Sequence, residues 1–172
     1  MEIFFKWLDI VRESRSLYWI TKPVNNALED ALTARCLAYC LERDQFQFSR
    51  SKSQQYSHCV YINIPLGSSG KDITKIIIDT FGIQYSVKET EEELWHKIYI
   101  FLNRHAVQML IFNLCGHYFI DSRKTEILLE IFPRINEKLN ITIVVLGARN
   151  LCTSLSLNAV LSMCWREYCS PE

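Results

Sequence analysis

The chain has 172 residues, of which 19 are basic and 19 are acidic. Hydrophobic residues make up 49% and charged residues 22%, proportions that predict a folded domain and argue against disorder. The zero net charge argues against a protein devoted to nucleic acid, because phosphate binding normally requires a basic surplus.

Helical and strand patterns alternate from the first residues. Apolar side chains fall on one helical face over residues 2–14, and a short apolar run at 17–20 predicts a strand. Three- and four-residue apolar spacing predicts a helix over 27–43. The polar stretch 44–57 is typical of an exposed loop, and the apolar run 59–64 predicts the next strand.

The same alternation continues in the second half of the chain. Amphipathic patterns predict helices over 72–81 and near 94–102. Residues 107–114 form an apolar run that predicts a strand buried on both faces. A helix over 122–139 follows, and residues 141–146 give the clearest strand pattern in the chain.

Continuously apolar strands that alternate with helices favour a parallel sheet covered on both faces. We therefore predict a three-layer α/β domain with a parallel sheet of about four or five strands. The chain reads as one domain: an N-terminal helix over 1–14, a core over 15–150 and a C-terminal segment over 151–172. In that last segment the pattern predicts a helix at 156–168.

The N-terminal helix and the first predicted strand, together with the helix that follows them, resemble a known family. The first two contain Trp7–Asp9 and Leu17–Ile20, and the next helix carries Ala34, Cys36, Tyr39 and Cys40. In order and spacing, roughly residues 4–150 resemble the TniB/TnsC-type AAA+ regulators of DNA transposition. The resemblance implies a P-loop NTPase-like AAA+ core, with the family's helical lid largely absent from this chain.

The resemblance also implies a phosphate-binding loop of the type G-x-x-x-x-G-K-[ST]. It places four residues at the two glycines, the lysine and the threonine: Asn26, Ala31, Leu32 and Thr33. Only Thr33 fits, since Leu32 offers no charge to phosphate oxygens and no glycine lets the backbone wrap them. Glu29–Asp30 would repel a triphosphate, and the good helix propensity of the run predicts that the loop has become helix.

The second nucleotide motif of the family is also substituted. After the apolar strand, Asn113 and Leu114 stand where the resemblance places the aspartate that helps hold magnesium and the glutamate that polarises water. His117 keeps the downstream similarity. From both substitutions we predict no cofactor, no catalytic residue and no nucleotide hydrolysis.

A second loop keeps an enzymatic alternative open. Gly67–Lys71 follows a predicted strand and opens a predicted helix, as a phosphate-binding loop does. Pro65 stands where the first glycine of that motif belongs, and Asp72 replaces the hydroxyl that would meet magnesium. The ordinary explanation is a glycine- and serine-rich turn with an acidic helix start.

Basic residues next to aromatic ones provide candidate nucleic-acid contacts. Arg50 and Lys52 lie in a polar loop that also holds Phe46, Phe48 and Tyr56. With Lys71 of the neighbouring loop, they are the residues that we expect to touch DNA if any do.

The seven cysteines indicate a reducing compartment. Their number is odd, several lie in apolar runs, and no secretory signal precedes them, so we expect buried thiols in a cytoplasmic protein. Cys36 and Cys40 are one helical turn apart, but no second pair has zinc-site spacing, and no metal site is predicted. No apolar run approaches the ~18 residues that span a membrane.

The sequence and the resemblance together predict a non-hydrolysing relative of the transposition regulators. We expect it to act as an adaptor, an oligomer or filament subunit, or a regulator. The expected partner is another copy of the chain or a related AAA+ transposition protein. Two alternatives stay open: an NTPase that uses Gly67–Lys71, and a DNA-binding module without a nucleotide switch.

Overall fold

A five-stranded parallel sheet forms the centre of the protein. The computed structural model describes residues 2–21, 26–45, 59–65, 68–115, 122–147 and 160–164. The strands are β1 (Leu17–Thr21), β2 (Cys59–Ile64), β3 (Met109–Leu114), β4 (Thr142–Gly147) and β5 (Val160–Cys164). Their order is β2-β3-β4-β1-β5, with every neighbouring pair parallel, which confirms the predicted sheet.

The fifth strand corrects the sequence analysis, which predicted a helix over 156–168. Residues Val160–Cys164 instead pair with β1, with Val160 opposite Leu17. Five residues are too few for a periodic pattern to separate strand from helix, and the free edge of β1 offers hydrogen bonds that the local sequence does not reveal. The rest of the predicted helix lies outside the described residues.

Helices cover both faces of the sheet. They are α1 (Glu2–Glu13), α2 (Asn26–Gln45), α3 (Gly70–Thr80), α4 (Glu91–Arg104) and α5 (Ser122–Leu139). One core lies between the sheet and α1 with α2, and the other lies between the sheet and α3, α4 and α5. This arrangement is the predicted three-layer architecture.

Strands β3 and β4 explain why two helical layers are needed. All six residues of each strand are buried, although successive side chains point to opposite faces. Met109 and Ile111 pack under α1 and α2, whereas Leu110 and Phe112 pack under the other three helices. A sheet with two apolar faces requires cover on each of them.

The two helices of the first layer also contact each other. The hydroxyl of Tyr39 on α2 donates to the Asp9 carboxylate on α1 at 2.9 Å. The Tyr39 ring meets Phe5 edge to face, with ring centroids 5.6 Å apart. Burial, followed by the hydrogen bond to Asp9, raises the pKa of Tyr39 above its ordinary range. Tyr39 therefore stays protonated and keeps α1 beside α2.

A buried hydroxyl fastens the end of α1 to the start of β4. Thr142 is fully buried, and its Oγ1 lies 3.0 Å from the Val11 carbonyl oxygen and 2.9 Å from that of Arg12. The same oxygen accepts a hydrogen bond from the backbone N–H of Arg15 at 3.0 Å. One side chain thus satisfies backbone groups where α1 ends and the chain turns into β1.

Replacing this hydroxyl should loosen the helix end. We expect Thr142→Val, which keeps the volume, to lower the free energy of unfolding by about 1–3 kcal/mol, because it leaves buried backbone groups unpaired. The matched control, Thr142→Ser, keeps the hydroxyl. Hydrogen exchange at the Arg15 amide should accelerate in the valine variant and not in the serine variant. Equal exchange in the two variants would contradict this role.

Candidate functional site

Parallel strands place their carboxyl ends at one edge of the sheet, where α/β proteins usually bind ligands. In this chain, β1 ends at Thr21 and α2 is already helical at Asn26. The positions that match the phosphate-binding loop, 26–33, are therefore helix, which confirms that part of the sequence analysis. Beyond the first helical turn, backbone amides bond within the helix and are not free to bind phosphate.

The residue that the resemblance places at the lysine of that loop is part of the hydrophobic core. Leu32 is 0% exposed and packs in the core cluster that contains Leu8 of α1 and Val144 of β4. An ammonium group at this position would be buried among apolar side chains with no partner. Ala31 and Thr33, on either side of Leu32, are half-buried.

The two residues that the resemblance places in the second nucleotide motif, Asn113 and Leu114, lie on opposite faces of the sheet. Leu114 is buried with α3, α4 and α5, whereas Asn113 lies on the opposite face, under α2. Asn113 is 5% exposed, and its Nδ2 donates to Oδ1 of Asn63 at 2.9 Å. Register explains this contact, because Asn63 of β2 lies directly opposite Asn113 of β3. Asn113 brings an amide where the motif requires a carboxylate.

Tyr61 adds a buried polar group that the sequence analysis missed. Its hydroxyl lies close to Thr33 and Asn113. Neither that hydroxyl nor Oδ1 of Asn113 has a hydrogen-bond partner among the described residues. Burial raises the pKa of Tyr61 above its ordinary range, so the phenol stays neutral. An aromatic residue within a short apolar strand gives no sequence signal of this role.

These side chains do not fit a magnesium-bound triphosphate. The oxygens that Thr33, Tyr61 and Asn113 offer are neutral, and Leu32 supplies no cation for phosphate. A magnesium site normally includes at least one carboxylate, and none is found among the side chains gathered here. What the cluster offers is a set of neutral hydrogen-bonding groups between α2 and the strand ends.

The indole ring of Trp19 packs against Gly147 at the carboxyl end of β4. A Cβ atom on Gly147 would collide with the indole ring of Trp19, which is itself buried. Residues 148–159, which follow this strand end, lie outside the described residues. Glycine is required at this strand end by the close approach of the indole.

The alternative phosphate-binding loop proposed from the sequence, Gly67–Lys71, leads into α3, and the start of α3 is built as a helix cap. Ser69 is the N-cap of α3, and its hydroxyl accepts a hydrogen bond from the Asp72 backbone N–H. The Asp72 carboxylate accepts from the Ser69 hydroxyl at 2.6 Å and from the Ser69 backbone N–H at 2.9 Å, and these bonds hold its pKa below the usual range. A carboxylate thus occupies the helix N-terminus that a phosphate would use. Gly67 lies outside the described residues, and Lys71 is exposed.

Only one of the three candidate nucleic-acid contacts lies in the described part of the chain. Arg50 and Lys52 lie outside the described residues, as does His117, so only Lys71 is placed, at the start of α3. Within the described part of the chain, no three His, Cys, Asp or Glu side chains are grouped so as to hold a metal ion. No described helix has the length and apolar character needed to cross a membrane.

One comparison with known proteins shows the family, and another shows the fold. The family described as Bacterial TniB protein matches residues 37–165, a span that begins after Thr33 and includes Asn113. The crystal structure of Cdc6p from Pyrobaculum aerophilum is similar, with a TM-score of 0.58 and 11% identity. The similarity covers 94% of this chain but 44% of Cdc6p, so this chain spans less than half of that protein. It supports a P-loop NTPase-like core. The search of curated proteins found no match.

Introducing a lysine at position 32 should destabilise the protein and not restore a phosphate site. We expect Leu32→Lys to lower the free energy of unfolding by at least about 3 kcal/mol, because it buries an unpaired charge. The matched control is Ala34→Lys, an exposed position on the same helix, which should cost little. Chemical denaturation measures both variants. If Leu32→Lys were as stable as the control, the core would have room for the ammonium group, which would contradict our interpretation.

Proposed function

Because the chain belongs to the bacterial TniB family, we propose that it serves DNA transposition by assembling with protein partners, without hydrolysing nucleotide. The family and the P-loop NTPase-like core place it among AAA+-type proteins. The proposal concerns what this chain does with that core. Among possible partners we commit to a second copy of the chain.

One observation carries the non-hydrolysing part of the proposal. Leu32, which the resemblance places at the phosphate-binding lysine, is fully buried in a helix that begins at Asn26. Binding a triphosphate there would require the first turns of α2 to unwind and Leu32 to leave the core. Removing a leucine from a well-packed core costs about 2–5 kcal/mol, which nucleotide binding would have to offset.

The remaining chemistry supports the same conclusion. Hydrolysis requires a carboxylate to help hold magnesium and another to polarise water, and Asn113 and Leu114 provide neither. The alternative loop offers no substitute, since the Asp72 carboxylate already occupies the start of α3. Phosphate would meet a negative charge there.

Exposed apolar side chains support assembly. Six large hydrophobic residues are exposed in the described part of the chain, and four of them lie on the α1–α2 layer: Ile3, Ile10, Leu37 and Leu41. Leu37 and Leu41 are four residues apart on α2, 40% and 61% exposed, and Ala34 continues their line one turn earlier. We call Ala34, Leu37 and Leu41 the α2 ridge. Such a ridge loses contact with water when it packs on another protein.

A second copy fits this ridge better than a charged ligand does. The ridge is apolar and ends in the small Ala34, which lets another helix approach closely. In a two-fold dimer the same ridge on both copies forms one self-complementary contact. The balanced charge of the chain, 19 basic and 19 acidic residues, leaves no net repulsion between copies.

Sedimentation velocity tests assembly and its independence from nucleotide together. We expect species heavier than the 20.2 kDa monomer as concentration rises, with the same distribution in the presence and absence of ATP and magnesium. The double variant Leu37→Glu/Leu41→Glu should sediment as a monomer. The matched control is Ile100→Glu, because Ile100 is 48% exposed on α4 in the opposite layer, and this variant should assemble normally.

Two results would overturn the proposal. If the wild-type chain stayed monomeric at every concentration, the proposal that it self-assembles would be wrong. Assembly that appears only with ATP would show that nucleotide is bound after all. Circular dichroism of the double variant confirms that any loss of assembly is not a loss of folding.

A further inference from the structure

Two buried thiols meet between α2 and β2. Cys40 lies in the second half of α2 and Cys59 is the first residue of β2, and their Sγ atoms are 3.2 Å apart. Cys40 is 7% exposed and Cys59 is 1% exposed. Both lie in the core cluster of the α1–α2 layer. The two residues are 19 positions apart in sequence, so only the fold brings them together.

We propose that Cys40 and Cys59 form a reversible disulfide when the protein meets a two-electron oxidant such as a peroxide. A disulfide bond is about 2.05 Å long, so the two sulfurs have to approach by roughly 1 Å. Both residues are held on regular elements that already pack against each other. This proposal is independent of the proposed function, because it does not require assembly or nucleotide.

The chemistry balances with one peroxide for each disulfide. The sulfur of Cys40, the more exposed of the two, attacks an oxygen of hydrogen peroxide, which gives a cysteine sulfenic acid and one water. The sulfur of Cys59 then attacks the oxidised sulfur, and the hydroxyl leaves as a second water. Together the thiols lose two protons and two electrons, and the peroxide gains them. An added dithiol reverses the reaction by exchange.

The surroundings explain why the pair is controlled and not freely reactive. Burial raises the pKa of the Cys59 thiol well above its ordinary range, which keeps it protonated and slow to react. The guanidinium group of Arg12 acts in the opposite direction, since a nearby positive charge favours the thiolate. Oxidation therefore starts at Cys40, and Cys59 serves as the resolving thiol.

The disulfide would close a covalent loop over residues 40–59. That loop contains Arg50 and Lys52, the expected nucleic-acid contacts. It would also fix the second half of α2, which carries Leu37 and Leu41 of the α2 ridge, against the start of β2. The disulfide would therefore constrain both the segment with the expected nucleic-acid contacts and the helix that carries the α2 ridge.

Peptide mapping of the oxidised full-length chain tests the proposal directly. The folded protein is treated with hydrogen peroxide, its free thiols are blocked, and it is digested with trypsin without reduction. We expect peptide 36–43 linked to peptide 53–71, with the loss of two hydrogens, and separation of the peptides after dithiothreitol. Peptide 36–43 carries both Cys36 and Cys40, so the Cys36→Ala variant identifies the partner.

The variants distinguish this pair from other thiol chemistry. Cys36→Ala should keep the link, whereas Cys40→Ala and Cys59→Ala should each abolish it. The wild-type thermal midpoint should rise by about 6–12 °C on oxidation, because the bond constrains the unfolded chain.

Several results would overturn the proposal. One is the finding that Cys40 and Cys59 both remain free thiols, and so become blocked, after the folded wild-type chain has been oxidised. Another is a disulfide of Cys59 with Cys36 or Cys115. A midpoint that is unchanged or lower in a sample with the mapped link would show that the native packing does not accommodate the bond. If an alanine variant fails to fold, fragmentation of the linked wild-type peptides by tandem mass spectrometry still decides the question, because it shows which of Cys36 and Cys40 carries the blocking group.

Discussion

Burial of both faces of a parallel sheet is the constraint on which the rest of this structure depends. Every residue of β3 and β4 is buried, so each face needs a helical layer. On one face that layer is α1 with α2, and α2 contributes Leu32, Cys36, Tyr39 and Cys40 to the core. Because α2 is helical from Asn26, its backbone amides beyond the first turn bond within the helix, whereas a phosphate-binding loop would leave them free.

The same helix accounts for each functional feature that we derive. Its inner face buries Leu32, which the resemblance places at the phosphate-binding lysine. Its outer face carries the α2 ridge, and its second half brings Cys40 to Cys59. A nucleotide switch needs a loop that is free to wrap phosphate, and such a loop contributes little to a core. This chain has core packing in that place, which favours a protein that assembles over one that switches by hydrolysis.

Much of this arrangement can be predicted from the sequence, for physical reasons. The run Ile141–Leu146 is apolar on both faces, so its burial and parallel pairing follow from the pattern alone. Leu32 shares helical spacing with Cys36 and Tyr39, which predicts that it is buried. The missed features depend on contacts distant in sequence. Val160–Cys164 becomes a strand only beside β1, and Asn113 meets Asn63 only through the register of β2 and β3.

Calorimetric titration of the purified chain with ATP and magnesium, up to millimolar nucleotide, shows whether the chain binds nucleotide at all. We expect only heats of dilution, because Leu32 and the helix that begins at Asn26 leave no place for the phosphates. Saturable one-to-one binding would contradict this expectation. A repeat with Lys71→Ala would then show whether the start of α3 is the site, since binding there should be lost in that variant.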